Sequence, residues 1–282
     1  MDYPYELSTK VNNIFGDTDV EITLYSEFTT FVGTNASGKT QTLKALRDKL
    51  KSELGREKVR YLSSNRIGVM EQYRSKTDPY NRPETSFNLG DREASAARHQ
   101  IETANGDFLT LDSRKDIYIK VAERLSTLFG RHIFIRWDAG YLKVFFSKTD
   151  VDEEYSIIAE ASGLVNIISI LVALFDDSVE VLLIDEPEVS LHPQLQSFLL
   201  REIKHTAETH QKAIIISTHS AEMIELDTAE DLCNFVFFNG KELPKQISPA
   251  AQECCSDKLK DFVLRMSLIY NAGFFAKKSF AY

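Results

Sequence analysis

One stretch limits the folds open to this chain more than any other: Phe28-Thr-Thr-Phe-Val-Gly33-Thr-Asn35-Ala36-Ser37-Gly38-Lys39-Thr40. A β-prone run ends in a glycine, and four residues later Gly-Lys-Thr opens a helix. The form is G-x-x-x-x-G-K-S/T, a phosphate-binding loop. Gly33 and Gly38 let the backbone turn and approach a phosphate with no Cβ in the way. Successive backbone N–H groups of Asn35, Ala36 and Ser37 then point inward, and the positive end of the next helix adds to them. Lys39 can bridge β- and γ-oxygens, the Thr40 hydroxyl can ligate Mg²⁺, and Gln41 continues the helix beside the site. The motif needs a strand before it and a helix after it. Both are predicted: Leu43, Leu46, Leu50 and Leu54 share one helical face, and Gly55 stands at the C-cap. These residues predict nucleotide binding.

At 282 residues, 43% hydrophobic and 27% charged, the chain can bury a sizeable core. A net charge of -9 argues against a generally basic nucleic-acid binder and leaves only a local patch for that role. Cys233, Cys254 and Cys255 have no zinc spacing and make no disulfide framework, which fits a reducing, cytoplasmic setting. The start Met1-Asp-Tyr-Pro-Tyr lacks a signal pattern. The longest apolar run, Leu164 to Phe175, is too short to span a bilayer and is interrupted by Asn166 and Ser169. A soluble protein without a membrane partner is expected.

Read in order, residues 1–32 are β, with Val20 to Tyr25 alternating as a half-buried strand does. The P-loop helix follows, then a short strand, Val59 to Ser63. Its polar exit Ser64-Asn65-Arg66 places Arg66 where it could reach a phosphate, or simply stand on the surface. Residues 67–115 are polar, with Pro79, Pro83 and the charges Asp91, Arg92, Glu93 and Arg98; they read as an insertion, partly loop and partly helix. A helix is predicted over 116–130. Then His132 to Trp137 and Tyr141 to Phe146 flank Asp138-Ala-Gly140, a hairpin pattern; Trp137 is read as packing. A strongly apolar helix runs from Ala161 to Phe175, and Pro193 opens another. Val179 to Ile184 and Ala213 to Ser217 are near-continuous apolar runs, suited to central parallel strands covered on both faces. Strands alternating with helices mean a parallel sheet with right-handed crossovers.

Two of those strands end in chemistry. Asp185-Glu186 follows the first, at the sheet edge where the phosphate loop also lies. Asp185 would hold Mg²⁺ through water, and Glu186 would orient or deprotonate the attacking water. His219, at the end of the next strand, could hydrogen-bond the γ-phosphate and sense its loss. Cation, water-positioning group and charge stabiliser are what phosphoryl transfer asks for.

Together Gly33 to Thr40, Leu182-Leu-Ile-Asp185-Glu186-Pro187-Glu188, the turn Ser190-Leu191-His192-Pro193 and Ser217-Thr-His219-Ser220 resemble the heads of ABC-type ATPases. The phrase Asp-Glu-Pro-Glu-x-x-Leu-His-Pro resembles the soluble branch related to the overcoming-lysogenisation-defect (OLD) nucleases, which includes ATPase subunits of phage-defence systems. The resemblance is good over 20–64 and 157–240 and poor between them. It implies an ATP site shared across a head-to-tail dimer. Ser162 and Gly163 would be the signature motif, facing the partner's γ-phosphate from a helix N-terminus, although Leu164 stands where the fuller pattern has a second glycine. Ser190 and Leu191 would touch the partner subunit. The family's glutamine loop is not clear; Arg66 and Gln72 are the candidates.

The sequence therefore divides into an N-terminal part of an ATPase core at 1–64, an inserted helical and hairpin region at 65–156, the C-terminal part of the core at 157–245, and a helix and tail at 246–282. The expected fold is an α/β P-loop NTPase, with an ABC-ATPase-like, mostly parallel sheet and an antiparallel β portion. A helix is predicted over 257–270. The tail Phe274 to Tyr282 resembles the segment that enters a Toprim nuclease domain in OLD-like nucleases; a natural tail packed on the ATPase is the alternative. The resemblance implies ATP and Mg²⁺, a homo-oligomer, and a nuclease or toxin effector in cis or in trans, in phage defence. A DNA-binding head for repair or chromosome maintenance is the alternative, but the middle lacks coiled-coil heptads. A transporter subunit fits the altered signature less well, and nothing in the sequence demands a non-hydrolysing ATP sensor.

Overall fold

The computed structural model describes residues 2–11, 14–16, 18–64, 66, 104–138, 141–225, 230–240 and 242–249. Gln72, the hairpin turn residues 139–140, and the helix and tail expected beyond 250 lie outside the described residues.

A six-stranded sheet organises the molecule. Its strands are β3 (Phe28–Gly33), β4 (Val59–Leu62), β8 (Val181–Asp185), β9 (Ala213–Thr218), β10 (Phe235–Phe238) and β11 (Lys245–Gln246), in spatial order β11-β10-β3-β9-β8-β4. All neighbours run parallel except β10 with β11. Successive strand residues point to opposite faces, and here both faces are covered. Val181 and Leu183 join a core with Leu43, Leu46 and Leu50 of α1 (Lys39–Leu54) and with the antiparallel pair β1 (Tyr5–Lys10) and β2 (Asp19–Leu24). Leu182 and Ile184 join a second core with α4 (Ser162–Phe175) and α5 (Pro193–His210). The uninterrupted apolar runs of β8 and β9 follow from this two-sided burial.

Helix α4 is buried from Gly163 to Phe175. It is apolar all round because it packs against α5 on one side and, on another, against α2 (Ala104–Ser113) and α3 (Lys115–Phe129). The Lys212 ammonium closes its C-terminal end, donating to the carbonyls of Ala173, Leu174 and Asp176 at 2.8–3.0 Å. The expected hairpin forms from β5 (Arg131–Asp138) and β6 (Tyr141–Lys148), with Trp137 opposite Leu142 and Asp138 inside the strand, and an unanticipated third strand, β7 (Val151–Ser156), extends it. The described part of the 65–156 region shares a core with the ATPase-like part: Phe108, Leu111, Val121 and Phe146 pack in the same cluster as α4. A buried ion pair from Arg60 on β4 to Asp107 on α2 ties the two together. Among the described residues no helix is long and apolar enough to cross a membrane.

Candidate functional site

The loop between β3 and α1 folds as its glycines require. Gly38 sits at φ 102°, in left-handed space, and Ala36 at φ 61°. A Cβ on Gly33 would lie 2.5 Å from the Phe238 carbonyl oxygen, so the loop enters beneath β10 only as glycine. Phe15 and Ile14, between β1 and β2, press on Gly38 from the other side. Asn35 to Gln41, Ile14 and Glu186 line a cavity of about 360 Å³. Lys39 is 5% exposed, and its ammonium donates to the carbonyls of Gly33 and Thr34 at 2.7 and 2.9 Å. Burial holds its pKa below the ordinary lysine value, against the pull of Glu186, Asp185 and Glu188.

The ends of β8 and β9 bring the carboxylates to this loop. The Thr40 hydroxyl lies 3.0 Å from both oxygens of Asp185, and the Ser217 hydroxyl also donates to Asp185. Glu186 is held at φ 48°, a strained setting for a residue with a Cβ, while its N–H donates to the Ser217 carbonyl at 3.0 Å. That turn aims Glu186 into the cavity. His219 Nδ1 is 3.3 Å from Glu186 Oε1 and 3.4 Å from Glu188 Oε1. Glu188 is buried and accepts from the Thr218 hydroxyl at 2.6 Å and the His219 backbone N–H at 3.0 Å. Burial raises its pKa above the usual carboxylate range.

Lys39, Thr40, Asp185, Glu186 and His219 thus converge at one sheet edge. Ser162 and Gly163 do not join that cavity. Ser162 is exposed at the start of α4, and a Cβ on Gly163 would come within 2.5 Å of the Ser190 carbonyl oxygen. Ser190 itself is exposed at φ 63°, beside buried Leu191.

Arg66 corrects the expectation of a phosphate contact. It is 1% exposed and directed inward, donating to Asn166 on α4 and to the carbonyls of Ser63 and Asp185 at 2.7 and 3.2 Å. Asn166, which as a sequence signal only interrupted an apolar run, spends its amide on the carbonyls of Pro187 and Val189 at 3.1 and 2.8 Å. The two residues join the end of β4, the end of β8 and helix α4. Glu188, Ser217 and Asn166 are the site's unanticipated members. Their common signal is a polar residue inside or directly after a buried apolar segment.

The residues present fit a Mg-nucleotide. The Ser37 hydroxyl is buried within the loop with no partner among the described residues, so the cradle has spare donor capacity. A hydroxyl and a carboxylate 3.0 Å apart form a hard-oxygen pair suited to Mg²⁺.

A family model described as the AAA ATPase domain matches residues 73–224, just over half of the chain, and the chain belongs to that family. The phosphate loop lies ahead of the matched residues. Among solved structures, the chain is similar to an Smc head bound to the C-winged helix domain of ScpA. That match has 15% identity and a TM-score of 0.53, covering 88% of this chain and 98% of that one. A Smc head from Pyrococcus furiosus with an extended coiled coil, bound to the C-terminal domain of ScpA, matches with 12% identity and a TM-score of 0.53, covering 90% and 98%. The ATP-binding subunit of an ABC transporter matches with 14% identity over 92% and 99%, at a TM-score of 0.46, too low to build on. At these identities the likeness is one of fold: an α/β P-loop ATPase head with a mostly parallel sheet. No curated protein matches significantly.

Proposed function

We propose that this chain is an ABC-type ATPase that hydrolyses ATP at a site completed by a second copy. The observation that carries this reading is the 3.0 Å approach of Thr40 to Asp185 beside a cavity lined by Lys39 and Glu186. Backbone N–H groups of 35–39 would hold the β-phosphate. Lys39 would exchange its carbonyl partners for β- and γ-oxygens. Thr40 and Asp185 would hold Mg²⁺, whose charge would neutralise the phosphate oxygens. Glu186 would accept a proton from the attacking water as its oxygen bonds to the γ-phosphorus and the bond to the ADP oxygen breaks. His219 would contact the γ-phosphate.

Exposed Ser162 and Ser190 support a shared site, since both stand outside the cavity of their own chain. ATP would bind the closed dimer better than the open one and so shift the population. The output would pass to a nuclease or toxin effector in phage defence, a reading that rests on the Asp-Glu-Pro-Glu-x-x-Leu-His-Pro resemblance. A DNA-maintenance head is the second reading, favoured by the likeness in fold to Smc heads. A duplex-DNA affinity falling steeply with salt would select it.

The test is phosphate release from ATP by wild type, Lys39→Ala and Glu186→Gln. Mg-dependent turnover in wild type, lost in both variants with ATP binding kept in Glu186→Gln, is expected. Turnover unaffected by Glu186→Gln would contradict the assignment.

A further inference from the structure

His219 meets two carboxylates, and only one of them lines the cavity. Glu186 faces the cavity, whereas Glu188 lies behind the imidazole, 5% exposed. The intervening Pro187 and the left-handed Glu186 turn the chain so that both carboxylates reach Nδ1, at 3.3 and 3.4 Å. Glu188 cannot easily leave, because the Thr218 hydroxyl and the His219 N–H both donate to its Oε1. Its Oε2 is buried with no partner among the described residues. Burying a carboxylate with one oxygen unfilled opposes folding. A cost of that kind beside the cavity points to a task other than stability.

We propose that Glu188 is a positioning residue for hydrolysis: it keeps the His219 Nδ1–H and so presents Nε2 to the γ-phosphate while releasing Glu186 to the water. The inference rests on the ATPase reading. One N–H shared by two carboxylates bonds strongly to only one at a time. Without Glu188 the imidazole would hold Glu186, and the group meant to take the water's proton would be occupied. With Glu188 in place, Glu186 can turn to the water without loss of the imidazole's orientation, as a buried carboxylate orients the histidine in other hydrolytic sites.

The experiment compares ATP affinity and turnover of Glu188→Gln, Glu188→Ala, His219→Ala and the His219→Ala/Glu188→Ala pair. Glu188→Gln keeps the shape and tests charge if the alanine variant folds poorly. The account predicts ATP affinity within about twofold of wild type, kcat lower by about tenfold or more in Glu188→Gln, and no further loss when Glu188→Ala is added to His219→Ala. Full kcat in Glu188→Gln, or losses that multiply in the pair, would overturn it. In the second readout, made in a Glu186→Ala background so that the imidazole cannot turn to Glu186 instead, the His219 Nδ1–H NMR resonance, assigned with His219→Gln, should resist solvent exchange and lose that protection when Glu188→Ala is added. Unchanged protection would overturn the contact. This readout needs no turnover, so it separates failure of this inference from failure of the ATPase reading.

Discussion

Replacing Arg66 by alanine should destabilise the protein by about 3–5 kcal/mol, through a residue that touches neither the cavity nor solvent. Its guanidinium serves three acceptors: Asn166 Oδ1 and the carbonyls of Ser63 and Asp185. Bonds from a charged donor contribute about 1.5–3 kcal/mol each, and an orphaned buried acceptor costs about as much. Burial works the other way, pushing the guanidinium pKa down from its ordinary value to about 10. That shift is equivalent to about 3 kcal/mol against the charged form. The balance leaves roughly 3 kcal/mol, and the cavity left by truncation adds to it. Asn166→Ala should also destabilise, because it frees the carbonyls of Pro187 and Val189 and removes Arg66's acceptor. The two changes share one interaction, so the double variant should fall short of additivity by about 1–3 kcal/mol. Urea unfolding of the four proteins, with m constant, measures this. A loss under about 1 kcal/mol for Arg66→Ala, or strict additivity, would refute the network.

Three further outcomes follow from particular contacts. Gly163→Ala should leave ATP binding by one chain intact and abolish ATP-driven association, because the added Cβ would sit 2.5 Å from the Ser190 carbonyl oxygen; equilibrium binding and sedimentation separate the two effects. Lys39→Ala should weaken ATP binding by about tenfold or more in a titration, since a charge-assisted contact to phosphate is lost. Burial lowers the Lys212 pKa from 10.5 to about 8. Between those values the unfolded chain binds the extra proton, so the contribution of Lys212 makes stability rise with pH, by at most about 3 kcal/mol over the window. Below pH 8 its burial penalty is constant. Melts at pH 7.5 and 9.5 should show wild type gaining on Lys212→Met at the higher pH.

Much of the site was legible because its signals are local. The phosphate loop is one contiguous spacing, and Asp185, Glu186 and His219 each follow a buried apolar strand. Arg66 shows where locality ends. An arginine just past a strand end reads as a surface or ligand group, and only the packing of α4 reveals that Asn166 waits inside for it. Asn166 itself looked like a break in a membrane-type run, although a buried amide that caps a turn needs the same position. Glu188 lies within the Asp-Glu-Pro-Glu stretch with no local sign of a task, because its partners Thr218 and His219 arrive from a strand 30 residues away. In the fold, β7 is hard to read because Val151-Asp-Glu-Glu-Tyr-Ser is acidic and does not alternate, and β10 because a strand of only four residues follows a polar stretch.

The central claim, an ATP site closed by a second copy, is tested most directly by light-scattering molar mass with and without ATP and Mg²⁺. Glu186→Gln should keep binding and block water activation, so the closed state accumulates. The account predicts a doubling of mass in that variant with ATP, abolished by Ser162→Arg. A mass independent of ATP, or a doubling that survives Ser162→Arg, would contradict it.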